Sequence, residues 1–527
     1  MAWIAGVGLT PFGRQPGMTA LEWQTRAALE AMDDAGVTRR EVDGVLVGYA
    51  TTLGHLMPAN LLAEHLGLRP EIAFGMSSGG ATGLAMVAQA AHLVDAGAAS
   101  CVLVVAGEDR ASGQSTNTSM KTLAQVGHSE NEVPIGATVP AYYALLASAY
   151  LHRHGLGPDS LAPLAVQMRE HATLHPGAHF RTPILAEDVL ASPAVADPLR
   201  LLDCCPVSDG GAAVVVVPQS RSPRDLRVAG LGQAHRHQHL SEADLADTGA
   251  RRSATAALAR ASIGVQDIGI AGIYDSFTIT LALLLEEIGL APTGQAGRLA
   301  GEGRFGRRGE VPVNTHGGLL SYGHSGVAGG MAHLAEVVTQ LRGEAEDRQL
   351  DRPLRWGFVH ADGGVMSAHV SAVLEAAGVR KDGRTRTPQP AAASPAPGTS
   401  DDDPAQPSDW TEGVPTVLVS SCGACWHRWY FERGFCPVCG SDDVHRSPSL
   451  GAGSVVAVST VHRFPTSGGG GQVPFAIALV DLDDGIRVLG RCGLDTRVGD
   501  RVVARFGGAD DTAVTSGPFF STSAAPA

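Results

Sequence analysis

No apolar run in the 527-residue chain reaches the roughly 20 residues needed to cross a bilayer, so no membrane span is expected. Aromatic residues are scarce, at 5%, and basic residues are outnumbered, leaving a formal net charge of -14. A general nucleic-acid surface needs a basic face and stacking rings, and this balance argues against one. The opening MAWIAGVGLTPFGR has no charged stretch followed by an apolar core, so a cytoplasmic protein is expected. What is plentiful is small or apolar: 44% hydrophobic residues and 66 glycines. That mixture suits a large, closely packed core, and the length suggests two or three units.

Eight cysteines are present, and four of them form two CxxC pairs, Cys422/Cys425 and Cys436/Cys439. In a cytosolic chain this spacing favours a metal over disulfides, because each CxxC turn aims two sulfurs at one ion. A structural zinc with four thiolate ligands is expected. It leaves no open position for catalysis. Before it, residues 381–410 are rich in Pro, Ala, Ser and Asp and hold almost no large apolar side chain. Such a stretch reads as a tether. It separates a unit at 1–380 from a zinc ribbon at 411–445 and a small β-barrel of the OB type at 446–527. The barrel is read from short strand segments such as SVVAVSTVHRF, FAIALVDLD, IRVLGRCG and DRVVARFGG.

The first unit alternates strand and helix signals. Thr19-Ala-Leu-Glu22 is a capping box that opens a helix reaching about Gly36. DGVLV (43–47) reads as a strand, and Ala81–Ala96 as a helix apolar on every side and therefore buried. The apolar strand Cys101–Ala106 follows directly. Alternation with continuously apolar strands indicates an α/β fold covered on both sheet faces. The run GGATGLAMVAQAAHLVDAG (79–97) is echoed by GVAGGMAHLAEVVTQLRG (326–343), as two similar α/β halves would produce.

PLRLLDCCPVSDGGAAVVVV (198–217), DSFTITLALLLEEIGL (275–290) and NTHGGLLSYGHSGVAGG (314–330) together resemble the thiolase superfamily, sterol-carrier type. The resemblance spans nearly all of 1–380. It implies the thiolase fold, two stacked α/β/α halves, usually as a homodimer through that unit, binding coenzyme A thioesters. The departures carry the functional reading. Where thiolases open the buried helix with the nucleophilic cysteine of C-A-T-G, this chain has Gly80-Ala81-Thr82-Gly83. Where the second catalytic cysteine stands, it has His360-Ala361-Asp362-Gly363-Gly364. Tyr274 replaces the residue that helps hold the thioester oxygen, and Tyr322 precedes the Gly-His pair containing His324.

A covalent acyl-enzyme on sulfur needs an activated thiolate, and no cysteine occupies either motif. Loss of both while the oxyanion scaffold persists resembles the thiolase-like aldolases of bacterial steroid side-chain degradation. Those work with a separate zinc-ribbon/OB partner, whereas here that unit is fused. The expected function is a carbon–carbon lyase, retro-aldol cleavage of a β-hydroxyacyl-CoA. That reaction needs a base for the hydroxyl proton and donors for an enolate oxygen, but no nucleophile. His324, Tyr274 and backbone amides near Gly80 and Gly363 are the expected donors. Tyr322 is the expected base or shuttle, with His316 and His360 as neighbours that would lower its pKa and Asp362 beside them. Cys204 and Cys205 read as packing residues. The alternatives are a cysteine-free acyltransferase or condensing enzyme of natural-product assembly, and a non-catalytic acyl-CoA or lipid scaffold.

Overall fold

The computed structural model describes residues 1–376, 408–463, 473–506 and 517–522. The expected tether 381–410 lies outside them except for 408–410, where Trp410 is buried.

A nine-stranded sheet organises the first unit. In spatial order its strands are Ile72–Met76, Gly44–Gly48, Val102–Asp109, Asp209–Val217, Trp3–Leu9, Leu226–His235, Ala368–Ala376, Trp356–Gly363 and Ile270–Ile273. The two halves meet through a short antiparallel contact, Trp3 opposite Arg227 and Ile4 opposite Leu226. The helices Thr82–Asp95 and Val327–Arg342 pack on each other and touch strands of both halves. This is the buried pair that the internal echo anticipates.

Outside, the helix Ala20–Asp34 lies on one half and Ala250–Ala261 on the other. The Thr19/Glu22 capping box starts the first of them. Both outer helices approach strand glycines so closely that a β-carbon would overlap helix carbonyls: Gly6 and Gly8 under Ala31 and Ala27, Gly230 and Gly232 under Ala257 and Ser253. The repeated Gly-x-Gly is the structural trace of the two-half design.

In the C-terminal region, Ala452–Val461, Phe475–Leu482, Arg487–Cys492, Phe519–Thr522 and Arg501–Arg505 close into a five-stranded barrel. The strand Phe519–Thr522 lies beyond the four segments read from sequence. The barrel docks on the first unit. Val461 pairs with Ala196, the Asp197 N–H donates to the Thr460 carbonyl at 2.9 Å, and the helix Val139–His154 packs on the strand Ala452–Val461. Among the described residues no helix is long and apolar enough to cross a membrane.

Candidate functional site

A cavity of about 430 Å³ opens beside Gly80, at the start of the buried helix Thr82–Asp95. The loop before that helix is tied by Thr82, whose Oγ1 donates to the Gly79 carbonyl at 2.6 Å and accepts from the Ser78 N–H at 2.7 Å. The strand end Asp362–Gly364 presses on the same loop, and a β-carbon on Gly363 would overlap the Ser78 carbonyl.

Tyr274 follows the strand Ile270–Ile273 and is held by its backbone N–H on the His360 carbonyl at 3.0 Å. Its hydroxyl pairs with His324 Nε2 at 2.8 Å. A β-carbon at position 80 would fall on that same hydroxyl. Tyr274 therefore fills the space that a side chain on residue 80 would need. Burial pushes the Tyr274 hydroxyl well above its ordinary pKa and pulls His324 down to about 3, with the Arg110 charge adding to the fall. Both groups are neutral at physiological pH.

The loop that presents His324 is bolted to the strand carrying Tyr274. Asn314 accepts from the Ile273 N–H and donates to the Ile273 carbonyl, both at 2.7 Å. Asp275, fully buried, accepts from the Leu319 N–H at 2.7 Å, and burial raises its carboxyl well above the usual range. These bonds explain the Asn and Asp of the sequence motifs as positioning groups.

Asp362 supplies the other polar wall. Its Oδ2 accepts from the Tyr143 hydroxyl at 3.0 Å, while Oδ1 is buried with no protein partner. Burial raises the Asp362 carboxyl well above the ordinary carboxylate range and raises the Tyr143 hydroxyl too. An orphan carboxylate oxygen with high proton affinity is the chemistry of a general base or acid.

Of the residues singled out from sequence, the structure brings Gly80, Tyr274, His324, Asp362 and Gly363 to one cavity. Tyr322, His316 and His360 do not line it. The Tyr322 hydroxyl donates to the Thr10 carbonyl at 2.8 Å, and its ring packs on Phe12 and His175. His316 lies fully buried among Tyr322 and His333. His360 pairs with Ser371 Oγ at 2.8 Å and His369 Nδ1 at 3.2 Å. Burial lowers both histidines far below neutrality, so neither supplies a cation to Tyr322.

The cavity also holds Tyr143 and Arg110, which the sequence reading passed over, and Cys204 and Cys205, which it read as packing residues. Tyr143 sits inside the mostly apolar helix Val139–His154, and only the adjacent pair Tyr142-Tyr143 hints at it. The two thiols are not nucleophiles. Burial pushes Cys205 up to about 12 and Cys204 well above its ordinary value, so both stay protonated.

None of the four ribbon cysteines lines the cavity, and the sulfurs of Cys422, Cys425, Cys436 and Cys439 all lie within 4.8 Å of one another. The closest pairs, Cys422 with Cys439 and Cys425 with Cys436, are 3.5 Å apart. A tetrahedral zinc with bonds of about 2.3 Å sets its sulfurs roughly 3.8 Å apart, so the cluster fits one ion. The Cys425 and Val438 N–H groups donate to Cys422 and Cys436 sulfurs at 3.4 Å, as metal-binding knuckles do. The ribbon docks on the segment that borders the cavity. Phe431 stacks on His128 with ring centres 4.3 Å apart, and Tyr430 accepts from Asn131 Nδ2 at 3.2 Å.

Comparison with known proteins follows the same division of the chain. The family description "Thiolase, N-terminal domain" matches residues 2–220, "Thiolase C-terminal domain-like" matches 232–376, and "ChsH2, C-terminal OB-fold domain" matches 447–507. An acetyl-CoA acetyltransferase of Methanothermobacter thermautotrophicus is 31% identical, over 70% of this chain and 98% of its own length. A steroid side-chain-cleaving aldolase of Thermomonospora curvata is 32% identical, over 66% of this chain and 92% of its own. Among solved structures, an Ltp2-ChsH2(DUF35) aldolase superposes with a TM-score of 0.62 at 29% identity, covering 71% of this chain and 97% of that one.

Proposed function

This chain belongs to the thiolase family, and we propose that it is a carbon–carbon lyase that cleaves β-hydroxyacyl-CoA thioesters by a retro-aldol reaction. One observation carries the reading: the place of the thiolase nucleophile is Gly80, and the Tyr274 hydroxyl, paired with His324, occupies the freed space. The 32% identity to a steroid side-chain-cleaving aldolase supports it.

Ionised Asp362 takes the β-hydroxyl proton on its unpartnered Oδ1. The electrons of that O–H bond form a carbonyl at the β-carbon, the bond between the α- and β-carbons breaks, and its pair becomes a thioester enolate. His324, with hydrogen on Nε2, donates to the Tyr274 oxygen. The Tyr274 hydroxyl hydrogen is then free to be donated to the enolate oxygen, and such a preorganised donor is typically worth about 3 kcal/mol. The buried helix Thr82–Asp95 directs its positive N-terminal end at the same region. Asp362 returns its proton to the α-carbon, releasing a shorter acyl-CoA and a ketone or aldehyde. The raised proton affinity of Asp362 suits both halves of this exchange.

The four ribbon cysteines would hold one zinc with a structural role, and a homodimer through the thiolase unit is the expected assembly. The decisive assay incubates the protein with a panel of β-hydroxyacyl-CoA thioesters and follows products by mass spectrometry. Release of a shorter acyl-CoA with a carbonyl fragment is expected. Incorporation of a second acyl group would instead establish an acyltransferase.

A further inference from the structure

The cavity wall contains a cation that the cleavage steps do not use. Arg110 directly follows the strand Val102–Asp109, is only 7% exposed, and lines the cavity. Among the described residues its guanidinium makes one hydrogen bond, Nε to Ser119 Oγ at 3.3 Å, and no ion pair. The nearby carboxylate of Glu108 is engaged elsewhere, accepting from both the Thr51 N–H and hydroxyl. The loop that carries Arg110 is pinned, because Asp209 Oδ1 accepts from the Ala111 N–H at 2.7 Å and the Ser112 N–H at 3.0 Å. Arg110 is therefore a fixed, nine-tenths buried guanidinium with most of its donors unspent. The Arg110 charge acts through space on the buried Glu108 carboxyl, but no carboxylate bonds the guanidinium directly, and an incoming anion would supply charge-assisted, bidentate bonds.

We propose that Arg110 recognises a free carboxylate carried by the acyl chain itself, so that the substrate is an acidic acyl-CoA. This rests on the cavity being an acyl-CoA site. Two sources of oxyanion compete, the acyl chain and the phosphates of coenzyme A. Depth favours the acyl chain. Arg110 is close enough to the reacting groups that its charge acts on Tyr274, His324 and Cys205. The exposed Arg14, also on the cavity wall, is the cation better placed for a phosphate. Met120, Leu123 and Val139 line the same cavity and give methylene groups an apolar bed. An acidic protein, at net charge -14, thus keeps a buried cation on the wall of its cavity.

The test is calorimetric binding to the full chain, using glutaryl-CoA, pentanoyl-CoA and free coenzyme A. The two acyl groups have equal carbon counts, and neither carries a β-hydroxyl, so the result does not depend on turnover. The wild type should bind glutaryl-CoA about ten-fold or more tighter than pentanoyl-CoA. Arg110→Met should erase that preference while leaving pentanoyl-CoA and free coenzyme A within about two-fold, and Arg110→Lys should keep part of it. Equal binding of both acyl groups by the wild type overturns the proposal without reference to any variant. A loss in Arg110→Met that is as large for free coenzyme A places Arg110 on the phosphates and overturns it too. If no acyl-CoA binds at all, the acyl-CoA reading fails, and this inference with it.

Discussion

The hydroxyl of Tyr274 stands where a side chain on Gly80 would begin. The two residues lie 194 positions apart in sequence yet act as one substitution: the nucleophile's space has passed to a phenol. Gly80→Ala should therefore be destabilising by roughly 1–3 kcal/mol, as overpacking in a buried site is, and should lower turnover by displacing Tyr274. Tyr274→Phe alone should lower kcat ten-fold or more, about 1.4 kcal/mol of transition-state stabilisation. Combined with Gly80→Ala, Tyr274→Phe should recover part of the lost stability, because the removed hydroxyl is the nearest of the clashing atoms, while the Asp362 carbonyl and the ring carbon remain. Thermal melts of the four proteins check this. Strict additivity would mean that the two residues do not share space.

Absence of a nucleophile has a direct readout. Intact-protein mass spectrometry after mixing with acyl-CoA should show no acyl adduct. Cys205 is the thiol to watch, since it lines the cavity, but at a pKa of about 12 it is almost wholly protonated at neutral pH. A stable adduct on Cys205 would reverse the assignment of reaction class.

The tyrosines separate by place. Tyr143 faces Asp362 in the cavity, whereas Tyr322 spends its hydroxyl on the Thr10 carbonyl. Tyr143→Phe should lower kcat and shift the pH profile, because it removes a donor to the base. Losing that bond raises the proton affinity of Asp362, so the acidic limb should move to higher pH. Tyr322→Phe should cost about 1–2 kcal/mol of stability for an unsatisfied carbonyl, with kcat close to wild type. Steady-state kinetics beside melts distinguish the two.

Much of this site was legible before the structure. Gly80, His324 and Asp362 sit in contiguous motifs, and motif departures can be seen residue by residue. The Thr19/Glu22 cap and the CxxC pairs depend on spacing alone, so they too are local. What sequence could not show is which face of a motif looks inward. Tyr322 and His324 are two positions apart on one loop, and long-range contacts place His324 at the cavity: the Asp275 anchor and the backbone bonds of His324 to Pro206 and Ser208. Tyr143 and Arg110 reach the cavity from elements far from the motifs in sequence, and apart from the neighbouring Tyr142 nothing beside them marks them.

Burial of neutral histidines gives a pH prediction. His171 is fully buried, donates from Nδ1 to the Asn314 carbonyl at 3.2 Å, and faces the Gln167 amide across Nε2 at 3.2 Å. Burial lowers it from 6.5 to about 4. Between those values the unfolded chain binds a proton that the folded one refuses, so this contribution to stability is present above pH 6.5 and is lost as pH falls towards 4. The loss is about 1.4 kcal/mol per pH unit for one such group. His171→Asn lacks this term. Its stability deficit against wild type, measured by denaturant unfolding, should narrow as pH is lowered from 7 to 5. A deficit that stays constant would mean that His171 titrates normally in the folded protein.

The fused ribbon and barrel should act on catalysis through residues 126–139. Val126, Thr138 and Val139 line the cavity. Between them, His128 stacks on Phe431 and Asn131 bonds Tyr430, both from the ribbon, while the Arg491 guanidinium of the barrel donates to the Ile135 carbonyl at 2.5 Å. The C-terminal region thus clamps one wall of the cavity from behind. A site of four thiolates supplies most of the folding free energy of so small a ribbon. Removing the metal with a strong chelator should free the Phe431 and Tyr430 contacts and loosen that wall. KM should rise about ten-fold, and more than kcat falls, because Tyr274, His324 and Asp362 stand on other elements. Phe431→Ala, with the four cysteines intact, should move KM in the same direction by a smaller factor. Truncation after residue 376 should go further, since it also exposes the helix Val139–His154 that the barrel covers. Full activity with unchanged KM in the truncated protein would show that the ribbon and barrel serve something other than this cavity.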